Sequence, residues 1–220
     1  VSHPLASQKL PIGGVVAAGD VQQVSLKLPL TATPQPPPGP GGASAAGHIT
    51  GFVTNKDDVA IDAELELWDA RGPRAAGTTS AGAFDVEVGA GTAILVARAD
   101  GYLALGAEVH VDPGERELTT IALKKAPKKR VVTLEKDQIS KANKVPFESK
   151  RARLQNTAEF LLDEVVDVLL RNPTLRVRVE VYSEPAPAEA DSQRLADDRA
   201  TAVADYLVKH GVWRSRLETK

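Results

Sequence analysis

The sequence predicts a multidomain protein, an antiparallel β-sandwich followed by an α+β domain of β-α-β-α order. Three observations point there. A Pro/Gly/Ser/Ala stretch, Thr33–Ala46 (TPQPPPGPGGASAA), offers neither a ladder of backbone donors nor a packed face, so it divides the chain. Between Gly47 and Leu123, short apolar runs recur between turn residues, as strands do. Beyond Arg130 the apolar period lengthens to that of two helices flanking a strand. The expected division is residues 1–30, a linker over 31–46, a sandwich over 47–125 and the α+β domain over 130–220.

A chain of 220 residues can hold one large domain or two small ones with modest cores. Aromatic residues make up only 4%, so Val, Leu, Ile and Ala must build those cores. The net charge of −2 supplies no field toward nucleic acid, and no nucleic-acid partner is expected. There is no cysteine, hence neither a disulfide framework nor a thiolate metal site. No apolar run approaches the roughly 20 residues needed to cross a bilayer as a helix, so no membrane-spanning segment is expected. Beginning at Val1 without Met or leader, the chain reads as a mature product or a piece of something longer.

Residues 1–30 resemble the end of a β module. Val15–Asp20 followed by Val24, Leu26 and Leu28 parallels Val109–Glu115 followed by Ile121 and Leu123. Aligning Gly19 with Gly114 sets Leu26 on Ile121 and Leu28 on Leu123, which suggests an internal repeat. On this reading, residues 1–30 are the last strands of a preceding module and need a partner to cover their apolar face.

In the sandwich segment, Ile49, Gly51 and Val53 open an extended run, and Asn55–Asp58 is a turn. Ala63, Leu65 and Leu67 alternate with Glu64, Glu66 and Trp68, the pattern of a half-buried strand. Ser80-Ala81-Gly82 turns into Phe84, Val86 and Val88, and Ala93–Ala97 is a continuous apolar run suited to a buried strand. Asp100-Gly101-Tyr102 breaks it, and Asp112-Pro113-Gly114 precedes a last strand, Leu118–Leu123. With Gly51-Phe52-Val53, Ala81–Phe84 and Gly91 in these places, the segment resembles the carboxypeptidase regulatory-like family of transthyretin-type sandwiches. That resemblance implies a spacer or docking unit without peptidase chemistry. The basic run Lys124–Arg130 (KKAPKKR) reads as a solvated hinge or as a patch attracted to anionic wall or lipid groups.

Val131–Leu134 supplies a first strand for the α+β domain. Asn156 with Glu159 is a variant capping box, and Leu154, Ala158, Leu161, Leu162, Val165, Val168 and Leu169 form one helical stripe that Asn172-Pro173 stops. Leu175, Val177, Val179 and Val181 alternate with Arg176, Arg178 and Glu180 as a strand with one wet face. Ser192 can cap a second helix burying Leu195, Ala200, Val203, Tyr206 and Leu207, with Gly211 at its C-cap. Trp68 and Trp213 could be exposed anchors or could pack against a neighbouring module.

Individual positions here resemble the OmpA-like family. Val145-Pro146-Phe147 matches its opening hydrophobic-x-Phe. Its central signature is matched by Ser183-Glu184, ten residues, Leu195-Ala196, then Arg199-Ala200, Val203 and Leu207, with every spacing kept. The resemblance implies peptidoglycan binding through the diaminopimelate of the stem peptide. That zwitterion is met by an acid for its ammonium and a guanidinium for its carboxylate. By motif position these roles fall on Glu184 and Arg199, with Ser183 keeping a hydroxyl and Ser192 at the helix start. The resemblance further implies a location in the periplasm, at the outer membrane or cell wall of a Gram-negative bacterium, and other envelope proteins as partners.

The segment departs from the family in several places. Glu184 stands for Asp and reaches about 1.5 Å further, enough to disturb a positioned site. Val181 and Tyr182 replace Gly and His, while Pro185 and Pro187 remove backbone donors. The chain stops at Lys220, before the family's last strand, so the domain is expected to be truncated there. The alternative for Glu184 and Arg199 is a surface ion pair without a ligand.

Nothing suggests catalysis. His3, His48, His110 and His210 are scattered, with no metal-ligand spacing. Gly39–Gly42 follow prolines rather than a strand, and Ser80, Ser140 and Ser149 have no recognisable base. A non-enzyme without cofactor is expected: a peptidoglycan tether, or a scaffold subunit whose OmpA-like domain has become a docking surface.

Overall fold

The structure, a computed structural model, describes residues 21–27, 46–69, 71–135, 138–141, 144–182 and 189–220. Chain order begins with β1 (Val21–Lys27). The sandwich strands follow: β2 (Gly47–Asn55), β3 (Glu64–Asp69), β4 (Gly72–Thr78), β5 (Ala83–Val88), β6 (Gly91–Arg98), β7 (Leu105–Val111) and β8 (Arg116–Leu123). Then come β9 (Val132–Leu134), β10 (Gln138–Lys141), β11 (Val145–Pro146), α1 (Asn156–Arg171), β12 (Val177–Tyr182), α2 (Glu189–Lys209) and β13 (Leu217–Thr219).

Sheets β5-β2-β8 and β4-β3-β6-β7 face each other. Ile49, Val53, Val86 and Ile121 of the first close on Leu65, Leu67, Leu95 and Val111 of the second in one dry core. The inward residues are those whose alternation marked them. One expectation needs correcting, because the sandwich is not wholly antiparallel. β8 runs parallel to β2 from His48↔Arg116 to Asn55↔Leu123. Side chains alternate in both pairings, so alternation cannot distinguish them. Here the strands between β2 and β8 provide the long crossover that a parallel pair requires.

The third sheet, that of the α/β domain, has the order β13-β12-β1-β10-β9, with β11 also beside β1. β1 was expected to close a preceding β module, and the structure corrects this. Gln23–Lys27 pair antiparallel with Tyr182–Arg178, while Leu26↔Ile139 and Gln22↔Val145 hold the other edge. Val24 and Leu26 are buried in the core of the α/β domain. The physical reason is simple: apolar residues at every second position require a half-buried strand but say nothing about which sheet receives it. Residues 1–20, including the repeat segment Val15–Asp20, lie outside the described residues. The sandwich is therefore an insertion between β1 and the rest of the α/β domain.

Both helices pack on this sheet, with Leu161, Leu162, Val165 and Leu169 of α1 and Ala200, Val203 and Leu207 of α2 meeting Val145, Val177 and Val179. Two expected caps are corrected. The N-cap of α1 is Gln155, without a side-chain cap bond, and its Nε2 instead donates to the Phe147 carbonyl at 2.8 Å. α2 starts at Glu189, so Ser192 lies within the helix rather than at its cap. The α2 end matches expectation, since Val212 N–H returns to the Leu207 carbonyl at 3.0 Å around Gly211, whose φ is +96°. A short strand, β13, follows α2 and pairs parallel with β12, extending the expected β-α-β-α order.

The two domains share a joint. Trp68, Ile94, Val96 and Ala104 of the sandwich enter the α/β core, where Trp68 lies 6.4 Å from Trp213. Both tryptophans are buried, so they pack between modules. Asp167 of α1, fully buried, accepts from Ala104 N–H at 2.7 Å and Arg171 Nε at 2.8 Å, and pairs with Arg130. Asp163 accepts from Lys124 Nζ and the Tyr206 hydroxyl, each at 2.7 Å. Glu164 accepts from the N–H groups of Val131 and Val132 at 2.8 and 3.1 Å. The basic run Lys124–Arg130 is thus no free hinge, because both its ends are fastened to α1 acids.

Candidate functional site

The end of the α/β domain where the motif falls is built from β11, the turn into α1, and α2. Phe147, fully buried, follows β11 and bridges to Leu154. Between them the chain makes a tight loop. Glu148 N–H donates to the Arg153 carbonyl at 2.8 Å and Arg151 N–H to the Glu148 carbonyl at 3.1 Å, with Lys150 left-handed at φ +55°. Such a φ is uncommon for a residue with a side chain and marks an over-determined turn. The loop is basic: the exposed Arg151 and Arg153 both reach Glu148 at 3.4 Å, with Lys144 and Lys150 also exposed.

Arg199 comes from α2 and is 1% exposed. Its guanidinium carbon lies 5.0 Å from the centre of the Phe147 ring, and its Nε donates to the Arg151 carbonyl at 3.0 Å. The ring face and the carbonyl fix the plane of the guanidinium, a cation–π arrangement strengthened by exclusion of water. The motif spacing thus brings Arg199 against the loop that opens the domain. Phe147 was legible as a motif residue, whereas its service as a platform for Arg199 was not. No signal in the sequence marked the Arg151 carbonyl.

The other candidates fare differently. Ser183 and Glu184 lie outside the described residues, as do Pro185 and Pro187. Ser192 is in the backbone of α2. Val181, in the place of the family's glycine, is buried beside β1. Among the described residues no group of three or more His, Asp or Glu side chains is placed to hold a metal. A cavity of about 650 Å³ lies elsewhere, in the cleft between β7 and the end of α2, lined among others by Glu108, Asp205, Lys209 and His210.

A second buried guanidinium, Arg216, belongs to the joint. It donates to the carbonyls of Leu175, Leu169 and Asn172 at 2.8–2.9 Å and lies 5.8 Å from the Trp68 ring. Burial pulls its pKa down, while the Glu66 carboxylate opposes the shift. It closes the carbonyl end of α1 and is structural.

With this geometry in view, residues 146–220 match the model of the OmpA family. The carboxy-terminal part of the chain is an OmpA-family domain. The match covers Pro146, Phe147, both helices, β12 and β13, while β1 and β9–β10 of the same sheet lie before it. No curated protein matches the chain. The strand-rich region ahead of the OmpA-family domain agrees with sandwich modules preceding it.

Proposed function

We propose that this chain is a non-catalytic tether of a Gram-negative cell envelope, gripping the diaminopimelate stem of peptidoglycan through its OmpA-family domain. The observation that carries the proposal is the family match over residues 146–220. OmpA-family domains bind and do not catalyse, and the match suggests an envelope role. Arg199 is the group for the ligand carboxylate and Glu184 the group for its ammonium, with Ser183 and Ser192 beside them. Desolvation around Arg199 supports this, since a carboxylate paired with a guanidinium out of water is held more strongly than at the surface. The sandwich is a regulatory-like spacer, fixed to the tether by the joint rather than swinging on a linker. The periplasmic face of the outer membrane or the cell wall is the location this role requires. No helix among the described residues is long and apolar enough to cross a membrane.

A second reading is a scaffold that docks other envelope proteins and has lost the wall ligand. One observation favours it: the Arg199 Nε is already bonded to the chain's own Arg151 carbonyl.

Co-sedimentation with diaminopimelate-type peptidoglycan decides between them. The wild-type chain should pellet with the wall, and Glu184→Ala and Arg199→Lys should each lower the bound fraction at least about tenfold, as loss of a charge-assisted or bidentate contact does. Circular dichroism checks that the fold is kept. A wild-type chain left in the supernatant means the scaffold reading, and variants that pellet like wild type remove these residues from the site.

A further inference from the structure

The cleft of about 650 Å³ between β7 and the end of α2 has the size of a ligand pocket, and it lies along an open strand edge. β7 closes its sheet: its ladder to β6 runs unbroken from Gly91↔Val111 to Ala97↔Leu105, and no described strand pairs with its other side. Gly106 N–H points away from that ladder and donates to the His210 carbonyl at 3.1 Å. Backbone groups alternate in direction along an antiparallel pair, so those of Glu108 and His110 point the same way as Gly106. Among the described residues they find no backbone partner there. β4, the opposite edge of this sheet, carries Pro73 and a register shift, two devices that close an edge to further pairing. β7 has neither.

A smaller pocket of about 90 Å³ adjoins the cleft and shares Leu105 and His210 with it. Leu103, Ala104 and Val166 give it apolar walls. His210 is held in one pose, with its ring stacked on Tyr206 at 4.0 Å and its Nδ1 on the Tyr206 carbonyl at 2.7 Å. A carbonyl only accepts, so Nδ1 carries the proton and Nε2 of the neutral ring is an acceptor. Among the described residues Nε2 has no hydrogen-bond partner. Glu108 on one wall of the cleft and Lys209 on the other form no ion pair with any described residue, whereas Asp205 is paired with Arg214 at 2.6 Å.

We propose that the cleft binds an extended peptide segment of a partner protein, which adds to β7 as a further strand and seats one aliphatic side chain in the adjoining pocket. The Glu108 backbone supplies a donor and an acceptor to that strand, and His210 Nε2 accepts one of its N–H groups. The His210 carbonyl on Gly106 already shows how this edge is met. The apolar walls and small volume select Val, Leu or Ile as the anchor. Glu108 and Lys209, opposite in charge and on opposite walls, call for a basic and an acidic residue flanking it. Backbone bonds give the affinity, and the pocket and the two charges give the selectivity. None of this rests on the wall-binding reading, since Arg199 stands ten residues before Lys209 in α2 and lines neither cavity.

A library of displayed random heptapeptides, selected against the immobilised full chain, supplies the probe. The most enriched peptide is then synthesised and titrated by fluorescence polarisation. It should carry Val, Leu or Ile between an acidic and a basic residue. Glu108→Pro removes the outward N–H while sparing the β6–β7 ladder, because an edge strand tolerates Pro where its N–H faces away from the sheet. That variant should bind the peptide at least about tenfold more weakly. Lys209→Glu should weaken binding about fivefold, and a peptide with its acidic residue changed to Lys should recover it. Urea midpoints show whether each variant keeps its fold; if Glu108→Pro does not, Lys209→Glu and the charge-swapped peptide decide. No enriched peptide, or an enriched peptide that binds these folded variants as tightly as the unsubstituted chain, overturns the proposal. Peptidoglycan co-sedimentation of the unsubstituted chain is scored separately, so failure of wall binding is not confused with failure of peptide binding.

Discussion

At the joint, three carboxylates of α1, Asp163, Glu164 and Asp167, are buried beneath the sandwich, and each accepts hydrogen bonds from the sandwich, the segment after it or α2. At the other end of the same domain a guanidinium, Arg199, is buried against a ring and a carbonyl of the α1 entry loop. The acids take hydrogen bonds from Ala104 of the sandwich, from Lys124, Arg130, Val131 and Val132 after it, and from Arg171 and Tyr206 of their own domain, so the contacts are spread over a wide interface. Arg199 lies against the Phe147 ring and donates to the Arg151 carbonyl, both from the loop that opens the domain. The first arrangement holds two domains in one orientation. The second fixes one guanidinium against the loop that opens the domain. Both bury charge, but the first joins two domains and the second lies within one.

The sharpest way to break this comparison is Asp167→Leu. The substitution leaves the Ala104 N–H and Arg130 without their acceptor in a dry joint, which should cost about 3–5 kcal/mol. Asp197→Leu on exposed α2 surface should change stability by less than about 0.5 kcal/mol. Urea unfolding of both variants measures the contrast. Equal effects would mean that the joint does not bury its acids.

Gly211→Ala comes next. A Cβ there would lie 2.3 Å from Gly106 Cα, and the φ of +96° already disfavours a side chain. Gly106 N–H donates to the His210 carbonyl at 3.1 Å, so backbone meets backbone at this point of the joint. Clash and strain together should cost about 3 kcal/mol, read as a lowered urea midpoint. An unchanged midpoint would show that sandwich and α2 do not touch there.

Phe147→Leu tests the other end. It removes the ring face under Arg199 while keeping an apolar filling, and should lower stability by about 1–2 kcal/mol. Phe147→Tyr, which keeps the face, should restore most of any lost peptidoglycan co-sedimentation. If Phe147→Leu pellets as the unsubstituted chain does, Arg199 is a structural group like Arg216, and the two ends of the domain differ less than proposed.

Much of this was legible in the sequence, and the failures have common causes. The α1 stripe from Ala158 to Leu169 could be read because its period matches one buried face. The opposite face carries Asp163 and Asp167, which no apolar period can mark, and it is dry because the sandwich lies on it. Such a contact depends on where an inserted domain sits, which no local pattern encodes. The alternation of Val24 and Leu26 was read as a strand, but its sheet could not be read for the same reason. Motif spacing led to Arg199 but could not foretell that its Nε would be held by a neighbouring carbonyl. Asn156 and Ser192 look like caps, yet the helices start one residue earlier than such caps would place them in the first case and four in the second.

The smallest expected effect sharpens the joint side through pH. The Tyr206 hydroxyl donates to Asp163 at 2.7 Å. Burial raises the tyrosine's pKa well above the ordinary value of about 10, and the hydrogen bond and charge of Asp163 raise it further. Below about pH 10 both folded and unfolded chains hold this proton, so the stabilising contribution is complete. Above that pH the unfolded chain releases the proton and the folded chain keeps it, so stability must fall as pH rises. Tyr206→Phe should therefore cost about 1 kcal/mol at neutral pH, the worth of one partly exposed hydrogen bond to a charged group. The gap to the unsubstituted chain should then close as pH passes about 10, because the variant lacks this titration. Urea midpoints of both chains across that range check it. A constant gap would mean that Tyr206 ionises as freely in the folded chain as in the unfolded one, and that Asp163 is not held in the dry joint with it.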